Sequence, residues 1–105
     1  LEVVNPSEVS NSESAILPYK PTLLLPHPNP FNSSVTLSYD LPSRGQVKLS
    51  IYDLSGRLVT TLVNGIRNKG RSTIRWNADD TPAGVYLISF SSAGVRQYGK
   101  VVLIR

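Results

Sequence analysis

The sequence predicts an all-β domain, an antiparallel sandwich of about seven strands with no helix. Apolar and polar residues alternate from Ser34 onward, which is the period of a half-buried strand. Clusters of Gly, Pro, Asn and Asp interrupt this alternation about every eight to twelve residues, as turns do in such folds. The chain contains no cysteine. The predicted sandwich therefore has neither a disulfide nor a thiolate metal site.

Two regions differ in composition. Residues 1–20 are rich in Ser, Asn, Glu and Pro and predict a linker or the end of a preceding domain, although the apolar Leu1–Val4 could add an edge strand. Residues 21–105 predict one folded domain with a single core. The chain begins with Leu1 rather than methionine, so we expect a fragment or a processed product. No apolar run approaches the roughly 20 residues of a membrane helix.

The first folded segment is limited by proline. Thr22–Leu25 predicts a short strand, and the four prolines between positions 21 and 30 exclude a helix. Phe31 follows this rigid segment, and we expect its ring to close one end of the core.

The remaining chain predicts six longer strands: Ser34–Leu41, Val47–Tyr52, Arg57–Val63, Ser72–Trp76, Val85–Phe90 and Val95–Ile104. A bulge is expected near Thr60, because the apolar positions there break the alternation. Asp53–Gly56 has the form of a type I turn closed by a glycine bulge, and 91–94 that of a hairpin turn. Asn64-Gly65 and Lys69-Gly70 predict a loop.

The inward positions of these strands predict the core. Its members are Phe31, Leu37, Tyr39, Leu49, Ile51, Trp76, Ile88 and Phe90. Short strands joined by polar turns indicate an immunoglobulin-like sandwich. An immunoglobulin domain proper is excluded, because it would pair two cysteines across a core tryptophan.

Charge is distributed unevenly along the chain. The net charge is +4, and residues 44–105 carry ten of the eleven basic residues but only three of the seven acidic ones. This asymmetry is compatible with an anionic partner such as nucleic acid or a lipopolysaccharide-rich surface. The basic residues are scattered over several strands, however, so we favour solvated outward positions and predict no nucleic-acid partner.

The sequence does not suggest catalysis. His27 is the single histidine and lies between two prolines, where we expect an exposed structural residue. No Gly-x-Ser-x-Gly turn presents a nucleophile, and no glycine-rich loop could cradle a phosphate. We therefore predict a domain that is not an enzyme and needs no cofactor.

Two binding alternatives stay open. Asn77, Asp79 and Asp80 gather oxygen ligands that could hold calcium, but turn formation explains these residues more simply. Tyr19, Tyr52 and Tyr98 could stack on sugars, but they belong to separate segments. The alternative function is thus an accessory domain of a secreted hydrolase, either carbohydrate-binding or a spacer that calcium could stabilise.

Four segments in order resemble the C-terminal sorting domains of the type IX secretion system. They are Pro28–Asn32 with the strand after it, Val47–Val59, Pro82–Tyr86 and Lys100–Arg105. An immunoglobulin-like domain of the flagellar hook-capping protein is similar around Trp76 and the Pro-x-Gly-x-Tyr turn.

The resemblance implies a sorting module on a larger exported protein. The expected partners are the outer-membrane translocon, a sortase that could remove the module, and an N-terminal cargo domain in the same chain. It implies a monomeric module on a secreted or cell-surface protein that crosses the periplasm and the outer membrane. The recognition residues carried over from the family are Pro82, Gly84, Tyr86, Lys100 and Arg105.

Overall fold

A computed structural model describes residues 20–105, which form seven strands in two antiparallel sheets with no helix among them. The strands are β1 (Thr22–Leu23), β2 (Ser34–Leu41), β3 (Gly45–Asp53), β4 (Leu58–Arg67), β5 (Gly70–Asn77), β6 (Gly84–Ser92) and β7 (Val95–Leu103). The predicted all-β class is confirmed. The predicted linker and the candidate edge strand at Leu1–Val4 lie outside the described residues. In the described part of the chain, no helix of the length and apolarity needed to cross a membrane was found.

The two sheets pack as an immunoglobulin-like sandwich. One sheet has the strand order β1-β2-β5 and the other has the order β4-β3-β6-β7. Because β3 pairs with both β4 and β6, it lies inside the larger sheet, while β7 lies at its edge. The chain passes between the sheets after β2, β4 and β5, which places residues distant in sequence on facing strands.

The core lies between the sheets and follows the period of two in the sequence. All eight residues that the sequence assigned to the core, seven by alternation together with Phe31, are at most 4 % exposed. Further inward residues join them: Val35, Leu41, Val47, Val63, Ala78, Tyr86, Val101 and Leu103. Successive side chains of a strand point to opposite faces, so one inward set per strand suffices to build this interior.

Strand β4 is longer than predicted, and the prediction of a loop at Asn64-Gly65 is wrong. Asn64 pairs with Lys48 and Gly65 with Val47, so the ladder with β3 continues to Arg67. The Asn64 side chain accepts a hydrogen bond from Gln46 Nε2 at 3.1 Å, which adds to the pairing. The long β3 edge therefore overrides the local turn preference of Asn-Gly. The predicted irregularity near Thr60 is confirmed by register shifts on either side of Thr60-Thr61.

Asp40 departs from the simple alternation. It stands at an outward position of β2, yet it is 9 % exposed because Arg71 lies directly opposite on β5. Arg71 donates from Nε to Oδ1 at 2.8 Å and from Nη2 to Oδ2 at 3.0 Å. These hydrogen bonds, together with the charge of Asp40, raise the pKa of the exposed Arg71 guanidinium. The pair joins β2 to β5 at the end remote from Trp76.

The turns at Asp53–Gly56 and Ala93-Gly94 set the registers of their hairpins. Gly56 N donates to Asp53 O at 3.0 Å and has φ of 88°, which confirms the type I turn with a glycine bulge. Asp53 Oδ1 accepts from Ser55 N at 2.9 Å, Ser55 Oγ at 2.7 Å and Arg57 N at 3.0 Å. The β6–β7 turn is shorter than the predicted 91–94, since only Ala93 and Gly94 have positive φ and Ser92 pairs with Val95.

Asp53→Asn should lower the melting temperature most near neutral pH. The Ser55 hydroxyl, and next the Arg57 backbone N–H, lower the pKa of Asp53 by stabilising its charged form. That stabilisation is complete above the unfolded-state pKa of about 3.9 and disappears as the pH falls through the lower folded-state value. Thermal unfolding followed by circular dichroism across this range checks the prediction. Asp80→Asn removes the same charge from an exposed loop and is the control; an Asp53→Asn effect independent of pH would contradict it.

Candidate recognition surface at the C-terminal strand

The turn Pro82–Gly84 is closed by the residue that follows it on β6. Gly84 has φ of 153°, a conformation that L side chains rarely adopt, so glycine is required for the backbone rather than for space. The Tyr86 ring is buried, and its hydroxyl donates a hydrogen bond to the Pro82 carbonyl oxygen. Pro82 and Ala83 remain exposed. The hydrogen bond from Tyr86 therefore fixes the shape of this turn.

Trp76 joins this turn to the proline-rich segment before β2. Its ring centroid lies 5.6 Å from that of Phe31 and 5.5 Å from that of Tyr86, the latter edge to face at 73°. Such tilted aromatic pairs are favourable beyond the area they bury. Phe31 thus closes the end of the core, as the sequence predicted, and does so through Trp76.

The proline-rich segment also covers part of the free edge of β7. Asn29 Nδ2 donates to the Lys100 carbonyl at 2.9 Å, and Asn29 Oδ1 accepts from Val102 N at 3.0 Å. Phe31 N donates to Val102 O at 2.9 Å and Phe31 O accepts from Ile104 N at 2.7 Å. Pro28 and Pro30 have no N–H to donate, so the Asn29 side-chain amide replaces a peptide group beside the strand.

Sequence reasoning did not assign this role to Asn29. The sequence did contain a clue to it. Pro28 and Pro30 lack an N–H, and the amide side chain of Asn29 between them can both donate and accept hydrogen bonds. Its partner strand, however, lies 71 to 73 residues away and could not be identified from local pattern.

Arg105 connects the chain end to the loop before Pro82. Its guanidinium donates to the carbonyl oxygens of Ala78 at 2.6 Å and Asp79 at 3.1 Å, and also to that of Thr81. All three bonds come from Nη2, whose two N–H groups are shared among these carbonyl oxygens. The loop leading into the turn and the residues following β7 are therefore bound to each other.

Four of the five residues carried over from the family meet at this corner. Pro82, Gly84 and Tyr86 form the turn, and Arg105 binds the loop before it. Lys100 lies farther along β7, where it pairs with Leu87 and its side chain is exposed. It stands three residues from the Gly84–Leu103 pair, about 10 Å along the strand.

The loop Asn77–Asp80 is organised by hydrogen bonds of its own. Asn77 Oδ1 accepts from Asp79 N at 3.1 Å, the Asx turn that the sequence favoured, and Ala78 N donates to Ser33 O at 2.8 Å. Arg105 donates to the carbonyl oxygens of Ala78 and Asp79, so a positive charge already lies in the loop that carries the candidate calcium ligands. Within residues 20–105, no three His, Cys, Asp or Glu side chains come together as metal ligands.

His27 lies in the proline-rich segment, exposed. Its backbone exchanges two hydrogen bonds with Thr36, at 2.8 and 3.1 Å, and so extends the small sheet by one bridge. The backbone hydrogen bonds with Thr36 are sufficient to explain the position of His27.

The fold and this corner define a small β-sandwich module in which the last strand, the late turn and the proline-rich segment form one unit. The family model described as secretion system C-terminal sorting domain matches residues 27–104. The chain belongs to this family, which confirms the resemblance to type IX sorting domains. The similarity to the hook-capping protein stays a prediction. Comparison with curated proteins gave no significant match.

Asn29→Ala should expose the edge of β7. The change removes the partners of Val102 N and Lys100 O, so hydrogen exchange at the Val102 amide should accelerate and the free energy of unfolding should fall by about 1 kcal/mol. Asn29→Asp keeps an acceptor for Val102 N–H and should retain more protection. Asn68→Ala, in the exposed β4–β5 turn, is the matched control. Unchanged protection of Val102 in Asn29→Ala would show that the side chain does not hold this edge.

Calcium should leave the melting temperature unchanged, because the loop carbonyls are bound to Arg105. Thermal unfolding with calcium chloride, with a chelator, and with sodium chloride at the same ionic strength checks this. A calcium-specific increase of several degrees would revive the stabilised-spacer alternative.

Proposed function

We propose that this domain exports a larger protein by presenting the turn Pro82–Gly84 and the adjoining β7 strand to the type IX secretion machinery. Membership of the family already makes the chain a C-terminal sorting signal. The observation that supports the finer proposal is the set of hydrogen bonds from Arg105 to the loop Ala78–Thr81. They make the late turn and the end of the chain a single surface that a receptor could contact at once.

Burial separates the residues that shape this surface from those that can touch a partner. Tyr86 and Trp76 are 6 % and 4 % exposed, so a receptor cannot reach them while the domain stays folded. Pro82, Lys100 and Arg105 are exposed. We assign contact to Pro82 and Lys100, positioning of the turn to Gly84 and Tyr86, and both roles to Arg105, whose side chain also binds the loop.

The rest of the proposal follows from this role. A sorting signal implies cargo, and we place it N-terminal to the sandwich, with residues 1–20 as the connection. The family supports an exported protein, secreted or at the cell surface, that crosses the periplasm and the outer membrane. Removal of the domain by a sortase and a monomeric state are further parts of the proposal. A sorting-signal family also supports a module without catalytic activity.

Point variants test the proposed contact surface better than truncation of the last strand does. Deleting Lys100–Arg105 would also remove the buried Val101 and Leu103, which are 0 % and 1 % exposed, and would damage the fold itself. Lys100→Ala/Arg105→Ala changes two exposed side chains and leaves these core residues in place.

The test fuses a reporter before residue 1 and expresses it in a host that has this secretion system. Lys100→Ala/Arg105→Ala should reduce delivery of the reporter to the cell surface to a small fraction of the wild-type level. Arg57→Ala/Lys69→Ala removes the same charge from exposed sites elsewhere and should be exported normally. Val63→Ala destabilises the core away from this corner and controls for lost stability. Arg105→Lys keeps the charge but replaces the planar guanidinium with an ammonium group, so it separates the effect of charge from that of the hydrogen bonds to the loop. Wild-type export of the Lys100/Arg105 variant, at matched expression, would refute the proposed contact surface.

A further inference from the structure

The outer face of the four-stranded sheet has a polar depression at its centre. It measures about 150 Å³ and is lined by Lys48, Ser50, Tyr52, Ser89, Ser91 and Arg96. All six are outward positions of β3, β6 and β7, facing away from the core. Small serines in the middle and long side chains around them create the depression. Ser50 is only 2 % exposed although it points outward, so it forms the floor.

The strand registers place two cations on either side of Ser91. Lys48 pairs with Ser91 and Ser91 with Arg96, so the two basic residues stand two strand spacings apart, about 10 Å. Within residues 20–105 neither joins an ion pair, since the salt bridge found there is Asp40–Arg71. The outward positions of β3, β4, β6 and β7 include no Asp or Glu. The face is therefore complementary to negative charge.

Two tyrosines flank the same depression. The sequence placed Tyr52 and Tyr98 in separate segments, but the fold brings both to this face, on either side of β6. Tyr98 is 67 % exposed and Tyr52 is half-buried. A tyrosine ring offers an apolar surface with a polar rim. Serine hydroxyls can both donate and accept, which suits a ligand that carries many hydroxyl groups.

The depression is smaller than the pockets that usually enclose a whole small molecule. A volume of 150 Å³ corresponds to about five water molecules, below the roughly 300–1,000 Å³ typical of drug-sized ligands. A second depression of about 270 Å³ adjoins it at the β6–β7 turn and shares Ser91 and Arg96. An extended polymer could occupy both.

We propose that this face binds an anionic polysaccharide. Lys48 and Arg96 bind the carboxylate, sulfate or phosphate of one sugar unit, Ser89 and Ser91 bind its hydroxyls, and Tyr98 packs against a neighbouring ring. A protein partner fits less well, because the centre of the patch is polar whereas interface cores are apolar. Nucleic acid would require a longer track of phosphate contacts than Lys48, Arg96 and Lys100 provide. The proposal goes beyond sorting, and Lys48 and Arg96 are not among Pro82, Lys100 and Arg105, the residues to which contact with the secretion machinery is assigned.

The test measures binding of the purified chain to carboxymethyl-dextran, to neutral dextran and to single-stranded oligothymidylate by isothermal titration calorimetry. Carboxymethyl-dextran should bind, more weakly with added salt, and neutral dextran should bind far less. Lys48→Ala/Arg96→Ala should weaken binding on the order of tenfold or more, because it removes both charge-assisted contacts. Arg44→Ala/Arg75→Ala removes the same charge from other surfaces and should change the affinity less than about twofold.

A variant that keeps the charge separates the site from general basicity. Ser89→Leu fills the depression and should weaken carboxymethyl-dextran binding while the melting temperature stays near that of the wild type. Equal losses in the two double variants, or no binding at all, would overturn the proposal. Binding of oligothymidylate that is tighter and depends on Lys48 and Arg96 would overturn the carbohydrate assignment in favour of nucleic acid. Because the export test uses Lys100 and Arg105, failure of either proposal leaves the other standing.

Discussion

The contact of Trp76 with Phe31 and Tyr86 is the interaction on which the other features of this domain depend. Trp76 comes from the three-stranded sheet, Tyr86 from the four-stranded sheet, and Phe31 from the segment beside β7. One indole ring thus fixes both sheets and the proline-rich segment at the same end. The position of the Pro82 turn, the covered edge of β7 and the site where Arg105 binds all follow from that arrangement.

Much of the fold could be predicted because its determinants are local. The period of two along 34–41 identifies the inward set containing Leu37 and Tyr39, since a one-residue slip would expose every member. The turn at Asp53–Gly56 is encoded within five residues, because Asp53 accepts hydrogen bonds from Ser55, Gly56 and Arg57. Such features need no knowledge of the remaining chain.

What could not be predicted depends on partners distant in sequence. Asn64-Gly65 favours a turn locally, but the β3 edge is long enough to keep it paired. The roles of Asn29 and Arg105 depend on carbonyl groups more than twenty residues away. The grouping of Lys48 with Arg96 likewise requires the strand order β3-β6-β7, which alternation alone does not specify. Local pattern thus identified the core, and the surfaces emerged only from the topology.

The bonds between Asn29 and β7 also make the domain's completion depend on its whole length. The segment at Asn29–Phe31 is synthesised first among these partners, yet its hydrogen-bond partners at Val102 and Ile104 come about seventy residues later. A ribosome must therefore release the last strand before the first segment can dock and before β6 gains its outer neighbour. A prematurely terminated chain would lack β7 and could not assemble this corner. This corner therefore forms late in folding, because its hydrogen bonds join the first and last segments of the domain.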